Sequence, residues 1–145
     1  MPVEYQIDHS QRLVQAKACG VVTAQDFIAY QREVWSRKDV VGYNELIDTG
    51  QAQKALDFTG AHLQEIAVLA SSMDLTKGTT KLAIVASDNF YYALGRMYEI
   101  YRGLQESNTK EVSVFRSVED ALAWIHEIQL NDGQQSATGD VTKSD

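Results

Sequence analysis

Apolar and polar residues alternate from Val3 to Ile7, as they do in a strand with one face in solvent. Arg12 to Val22 is a second extended stretch, with Leu13, Val14, Ala16 and Ala18 among polar partners. His9, Ser10 and Gln11 suit a tight connection between them, so the start of the chain reads as a β-hairpin. Pro2 precedes the first strand, where its missing N–H breaks no ladder. At Thr23 the period changes. Thr23-Ala-Gln-Asp26 approximates a capping box, and Phe27, Ile28, Val34 and Trp35 follow at helical spacing. Gly42 marks the stop, and Tyr43 to Ile47 reads as a short buried strand ending at Asp48-Thr49-Gly50.

Gln51 to Phe58 shows no clear period. A helix is expected from about Thr59 to Met73, with Leu63, Ile66, Ala67, Ala70 and Met73 on one stripe and Asp57 or Thr59 as its cap. Leu82 to Ala86 is a continuous apolar run, the mark of a central parallel strand. Asp88 or Asn89 caps the next helix, whose Phe90, Leu94, Met97, Tyr101 and Leu104 are expected to face the core. Val112, Val114 and Phe115 form the last strand. Ser117 to Asp120 opens a final helix with Leu122, Ile125 and Ile128 inward. The order β-β-α-β-α-β-α-β-α predicts an α/β domain over residues 1–130: a mixed, mostly parallel sheet of about five strands, an N-terminal hairpin and about four helices. Residues 131–145 carry almost no apolar content and are expected to be a disordered tail.

At 145 residues the chain is long enough to bury roughly 70% of its unfolded surface, so it needs no disulfide or structural metal. The single cysteine, Cys19, has no internal partner, and neither a signal peptide nor a run of ~18 apolar residues is present, so a cytoplasmic location is expected. The net charge of −7 opposes nucleic-acid binding, which requires a localised basic face. Here Arg32, Arg37 and Lys38, and separately Arg96, Arg102, Lys110 and Arg116, are interleaved with Glu33, Asp39, Glu99 and Glu111.

The chemistry-bearing motifs are sparse. The G-x-S-x-G elbow, H-E-x-x-H pair, P-loop and dinucleotide fingerprint are all absent. Cys19 lies in a predicted strand, where a small buried hydrophobe is its ordinary role. His9, His62 and His126 have no spacing that brings one beside it. In an open α/β sheet, ligands collect beyond the carboxyl ends of the strands where strand order reverses. That rule points to Val22-Thr23, to Asp48, Thr49 and Gly50, and to Ser87, Asp88 and Asn89. Asp48 and Asp88 oppose an anion there, and two carboxylates alone make a poor cation site, so no metal or other cofactor is expected. Asp88 serves equally as a helix cap. Tyr91, Gly95, Tyr98 and Arg102 form a second face of their helix, suited either to an apolar ligand with Arg96 or Arg102 at its head group, or to ordinary partial burial of tyrosines.

The run Lys81-Leu-Ala-Ile-Val, then Gly95-Arg-Met-Tyr98, Val112-Ser-Val-Phe-Arg116 and Ala121-Leu-Ala-Trp-Ile125, resembles the SpoIIAA-like family. Gly20-Val-Val-Thr23 and the strand end at Asp48 are similar to that family too, and the likeness spans Tyr5 to Ile128. These small bacterial domains are related in fold to the STAS domains of anti-sigma-factor antagonists and, more loosely, to CRAL-TRIO lipid-carrying domains. The antagonists carry a phosphorylatable serine beside an aspartate at the helix after the third strand. Here that region reads Asp48 to Gly60 with no Asp-Ser-Ser-Gly run, leaving Thr59 as the substitute acceptor and N-capping as its plainer role. The resemblance and the aromatic helix together imply a non-catalytic module for a small apolar or lipid-like ligand, with peripheral membrane association as a variant. The alternative is a regulatory protein-interaction module docking through the helix after Asp48. An enzyme ranks third, and homodimerisation is compatible with a domain of this size.

Overall fold

The alternating N-terminal residues pair as a hairpin: β1 (Val3–Asp8) runs antiparallel to β2 (Leu13–Val21), with Val3 opposite Ala18 and Asp8 opposite Leu13. The Asp8 carboxylate closes the turn by accepting from the Ser10 hydroxyl at 2.6 Å and the Gln11 N–H at 3.1 Å. The computed structural model describes residues 2–53, 58–74 and 78–127. Asp57, Ile128 and the stretch from Asn131 lie outside them.

From β2 the chain crosses through α1 (Ala24–Trp35) to β3 (Asn44–Gln53), through α2 (Gly60–Ser72) to β4 (Thr80–Val85), and through α3 (Asn89–Gly103) to β5 (Lys110–Phe115). A last helix, α4, covers residues 118–127. Local chemistry starts each helix. Thr23 and Asp26 form a reciprocal capping box, as do Thr59 and His62; Asp88 accepts from the Tyr91 N–H at 2.9 Å, and Ser117 accepts from the Asp120 N–H at 3.1 Å.

The sheet order is β1-β2-β3-β4-β5, with all pairs after the first parallel. Each crossover advances in the same direction, so right-handed connections carry α1, α2 and α3 to one face. Leu82, Ile84 and Val112 pack there against Ile28, Leu63, Ile66 and Tyr98. Alternation sends Ala83 and Val85 to the opposite face, where with Leu13 and Leu46 they meet Ala121 and Ile125 of α4. Strand order never reverses within this sheet. The crevice that a reversal would create is therefore missing, and the expectation that placed a site by that rule loses its topological basis.

Two further expectations need correction. The third strand is longer than Tyr43 to Ile47, because residues 51–53, polar in sequence, continue the ladder against Cys19, Gly20 and Val21 beyond an irregularity in β2. On α3 Leu94, Met97 and Tyr101 do pack against the core, partly buried, but the fully buried stripe is Tyr91, Gly95, Tyr98 and Arg102, and Leu104 is 72% exposed. Gly95 decides this rotation. A Cβ built on it would lie 3.2 Å from Val114 and 3.3 Å from Ile84, so the helix approaches the sheet most closely along the one line that lacks a side chain.

Candidate ligand pocket

Between the sheet and its three covering helices lies a cavity of about 80 Å³. Ile47 of β3 and Leu82 and Ile84 of β4 form its floor, and Leu63 and Ile66 of α2 one wall. Phe27 of α1 meets Phe58 edge to face, with ring centres 5.5 Å apart, and both rings line the space. Leu94, Gly95 and Tyr98 close it from α3. Phe27, Ile47 and Leu94 keep partial exposure within an otherwise buried cluster. Gly95, pressed close to Ile84 and Val114, marks the edge of the cavity where α3 meets the sheet.

At one end the apolar lining gives way to a buried polar network. Glu45 projects from β3 on the same face as Ile47 and Thr49, since it shares their strand parity. One carboxylate oxygen accepts from Lys110 Nζ at 2.6 Å; the other accepts from the Tyr30 hydroxyl at 2.7 Å and Trp35 Nε1 at 3.1 Å. The Lys110 ammonium also lies 3.4 Å from the centre of the Trp35 ring, a close cation–π contact. Burial holds the Lys110 pKa below the ordinary lysine value, against the opposing pull of Glu45. Burial, reinforced by the Glu45 charge, pushes the Tyr30 hydroxyl well above the ordinary tyrosine value.

A second buried pair stands behind Tyr98. Arg102 Nη2 meets Asp74 at 2.9 Å, Nε meets Asn108 Oδ1 at 3.0 Å, and Nη1 donates to the Tyr98 hydroxyl at 3.1 Å. Asp74 also accepts from the Thr109 N–H at 2.9 Å. Burial raises the Tyr98 pKa despite the neighbouring guanidinium. Each buried charge around the cavity thus meets an opposite one.

No family model matches the chain, and no curated protein does. Among solved structures it resembles an uncharacterised protein of the DUF3478 family with a SpoIIAA-like fold, from Shewanella loihica PV-4. The two share 18% identity and a TM-score of 0.56, over 85% of this chain and 93% of the other. The chain has a SpoIIAA-like fold. At that identity the likeness is one of architecture, and chemistry has to be read from the side chains.

Within the SpoIIAA-like frame the residues singled out from sequence divide into two groups. Thr49, Tyr91 and Tyr98 come together at the cavity. Asp48 points from the opposite face of β3, where it accepts from the Gly50 N–H at 2.8 Å and borders a mixed groove with Glu4, Gln15, Leu46 and Val118. Ser87 is exposed, and its carbonyl accepts from Arg116 Nη1 at 3.2 Å. Asp88 is committed to capping α3. Arg96 is exposed and sits 3.4 Å from Glu99, whereas Arg102 is a core residue with no free donor face. Thr59, exposed at the start of α2, accepts from the His62 N–H at 3.4 Å as an N-cap.

Among the described residues, no group of three or more His, Cys, Asp or Glu side chains is placed to hold a metal, and no helix is long and apolar enough to cross a membrane. The three histidines bond to Tyr43, Thr59 and Gln11, so none of these contacts gives Cys19 a base. Sequence reasoning passed over Glu45, Lys110, Tyr30 and Gln31. The signal was present for two of them: Glu45 and Lys110 sit at inward positions beside apolar inward neighbours, Ile47 in β3 and Val112 and Val114 in β5.

Proposed function

We propose that this protein is a non-catalytic binding module for a small, mostly apolar molecule seated between the sheet and α1, α2 and α3. One observation carries the reading: an aromatic and aliphatic cavity inside the main core cluster, bordered at one end by polar side chains. Close packing normally leaves few voids larger than water, so a cavity of about 80 Å³ at the centre of a small domain asks for an occupant. Its enclosed part is smaller than the roughly 150 Å³ known to take up benzene and well below the ~300 Å³ at which drug-sized sites begin. It opens to solvent beside the half-buried Phe27, Ile47 and Leu94, so a single ring or six-carbon chain seats with one end in that opening. The occupant is therefore a compact group. A full acyl chain would need the helices to part, which weighs against the lipid-like form of the reading. The acidic surface, net charge −7, also gives no electrostatic help in drawing a ligand from an anionic bilayer.

A binding role fits the polar end better than catalysis does. Glu45 is already held by Lys110, Tyr30 and Trp35, and the Thr49 hydroxyl is spent on the Val85 carbonyl at 2.8 Å. The test is chemical-shift mapping of the nitrogen-labelled full chain against benzene and cyclohexane. Saturable shifts confined to the residues around Leu63, Ile84 and Leu94 are expected. Shifts scattered over the surface, or none, would overturn the reading.

A further inference from the structure

We infer that the occupant of this pocket is uncharged: an apolar body carrying one alcohol, carbonyl or amide group that meets Gln31. The inference rests on the reading of the cavity as a binding site and adds its selectivity. The charge around the cavity is already balanced. Glu45 is the only charged residue among those described around the cavity, and Lys110 neutralises it at 2.6 Å. The nearest further charge, Arg102 behind Tyr98, is paired with Asp74 at 2.9 Å. A carboxylate or ammonium brought into this space would leave water and find no counter-charge, and an uncompensated buried ion is strongly disfavoured. The aromatic rings would attract a cation, but the Lys110 ammonium already occupies the acidic partner and repels a second one.

Most hydroxyls that line the cavity already have acceptors. The hydroxyls of Tyr30, Thr49 and Tyr91 each donate to a protein acceptor: the Glu45 carboxylate, the Val85 carbonyl and the Gln53 carbonyl. Gln31 differs. It lines the cavity at 8% exposure, and its only hydrogen bond among the described residues is a 4.0 Å contact from Nε2 to the Met73 sulfur. A primary amide offers both a donor and an acceptor, and Gln31 Oε1, which is not a fully buried atom, keeps its accepting capacity open to water or to a ligand. The Tyr98 hydroxyl accepts from Arg102, and its own proton has no acceptor among the described residues. Gln31 and Tyr98 therefore leave hydrogen-bonding capacity matched to one small neutral polar group.

The experiment is an NMR titration of the full chain with hexan-1-ol, hexanamide, hexanoate and hexylammonium, and with benzene as the reference. The alcohol and amide are expected to bind at least about tenfold more tightly than either ion. Gln31→Leu should weaken hexan-1-ol about two- to tenfold, the range of one hydrogen bond, and leave benzene unchanged, which also shows that the variant is folded. Hexanoate or hexylammonium binding as well as the alcohol would overturn the selectivity and leave the binding site standing. An undiminished affinity of Gln31→Leu for hexan-1-ol would remove Gln31 from the site. Failure of all five compounds, benzene included, would overturn the underlying reading together with this one.

Discussion

Glu45 and Lys110, 65 positions apart in the chain, meet at 2.6 Å on the face of the sheet covered by α1, α2 and α3. Their strands are not neighbours, since β4 runs between them, and the pair ties β3 to β5 across it. Both are almost wholly buried, so each charge depends on the other. Glu45→Gln and Lys110→Met are each expected to cost about 3–5 kcal/mol, because each leaves a partner buried and unpaired. The double variant should cost less than the two singles added, by roughly 1–3 kcal/mol. Urea unfolding of all four proteins measures this cycle, and simple additivity would contradict the coupling.

Tyr30 and Tyr98 supply a pH signature. Burial raises both pKa values above the unfolded value near 10, so the folded state keeps protons that the unfolded chain releases. Stability from these groups is fully present below pH ~10 and is lost as pH rises toward their folded pKa values. Lys110, with a lowered pKa, contributes in the opposite sense as pH rises toward its unfolded value. Phenolate absorbance reports on tyrosine alone. Of the seven tyrosines, Tyr30 and Tyr98 should ionise only when the protein unfolds in alkali, which appears as a late step coincident with loss of circular dichroism. A single smooth titration of all seven in a folded protein would contradict their burial.

The two arginines of α3 should behave as opposites. Arg102 is 2% exposed and spreads its donors over Asp74, Asn108 and Tyr98, so Arg102→Ala is expected to cost about 3–5 kcal/mol. Arg102→Lys should recover only part of that loss, because an ammonium cannot reproduce the planar fork. Arg96 is exposed and pairs with Glu99 at 3.4 Å, and Arg96→Ala should change stability by no more than about 0.5 kcal/mol. Thermal unfolding of the three variants tests this ordering, and equal effects at the two positions would contradict it.

Much of this architecture could be read directly from the chain. Helix starts were legible because capping is local: Thr23, Thr59, Asp88 and Ser117 each satisfy N–H groups within three residues of themselves. The buried strand at Leu82 was legible because nothing polar interrupts it until Ser87. The rotation of α3 was not, because Leu94, Met97 and Tyr101 make as good an apolar stripe as Tyr91, Gly95 and Tyr98. The choice is made by a close approach to Ile84 and Val114 that belongs to tertiary packing. The full length of β3 was hidden too, since Gln51-Ala-Gln53 becomes strand only by pairing with β2. The pocket was half visible: its tyrosines stood out, and Glu45 and Lys110 each interrupt an apolar strand face, but their pairing at 2.6 Å joins distant segments and has no local trace.

Benzene binding to Leu94→Trp beside the unaltered chain, followed by NMR titration, tests whether this cavity is the ligand site. Leu94 borders the cavity and is only partly buried, so the indole can turn into the empty space. The variant should unfold cooperatively at a melting temperature no lower than that of the parent, as cavity filling commonly brings, while benzene binding falls at least about tenfold. Undiminished benzene binding to the folded variant would show that this cavity is not where an apolar ligand sits.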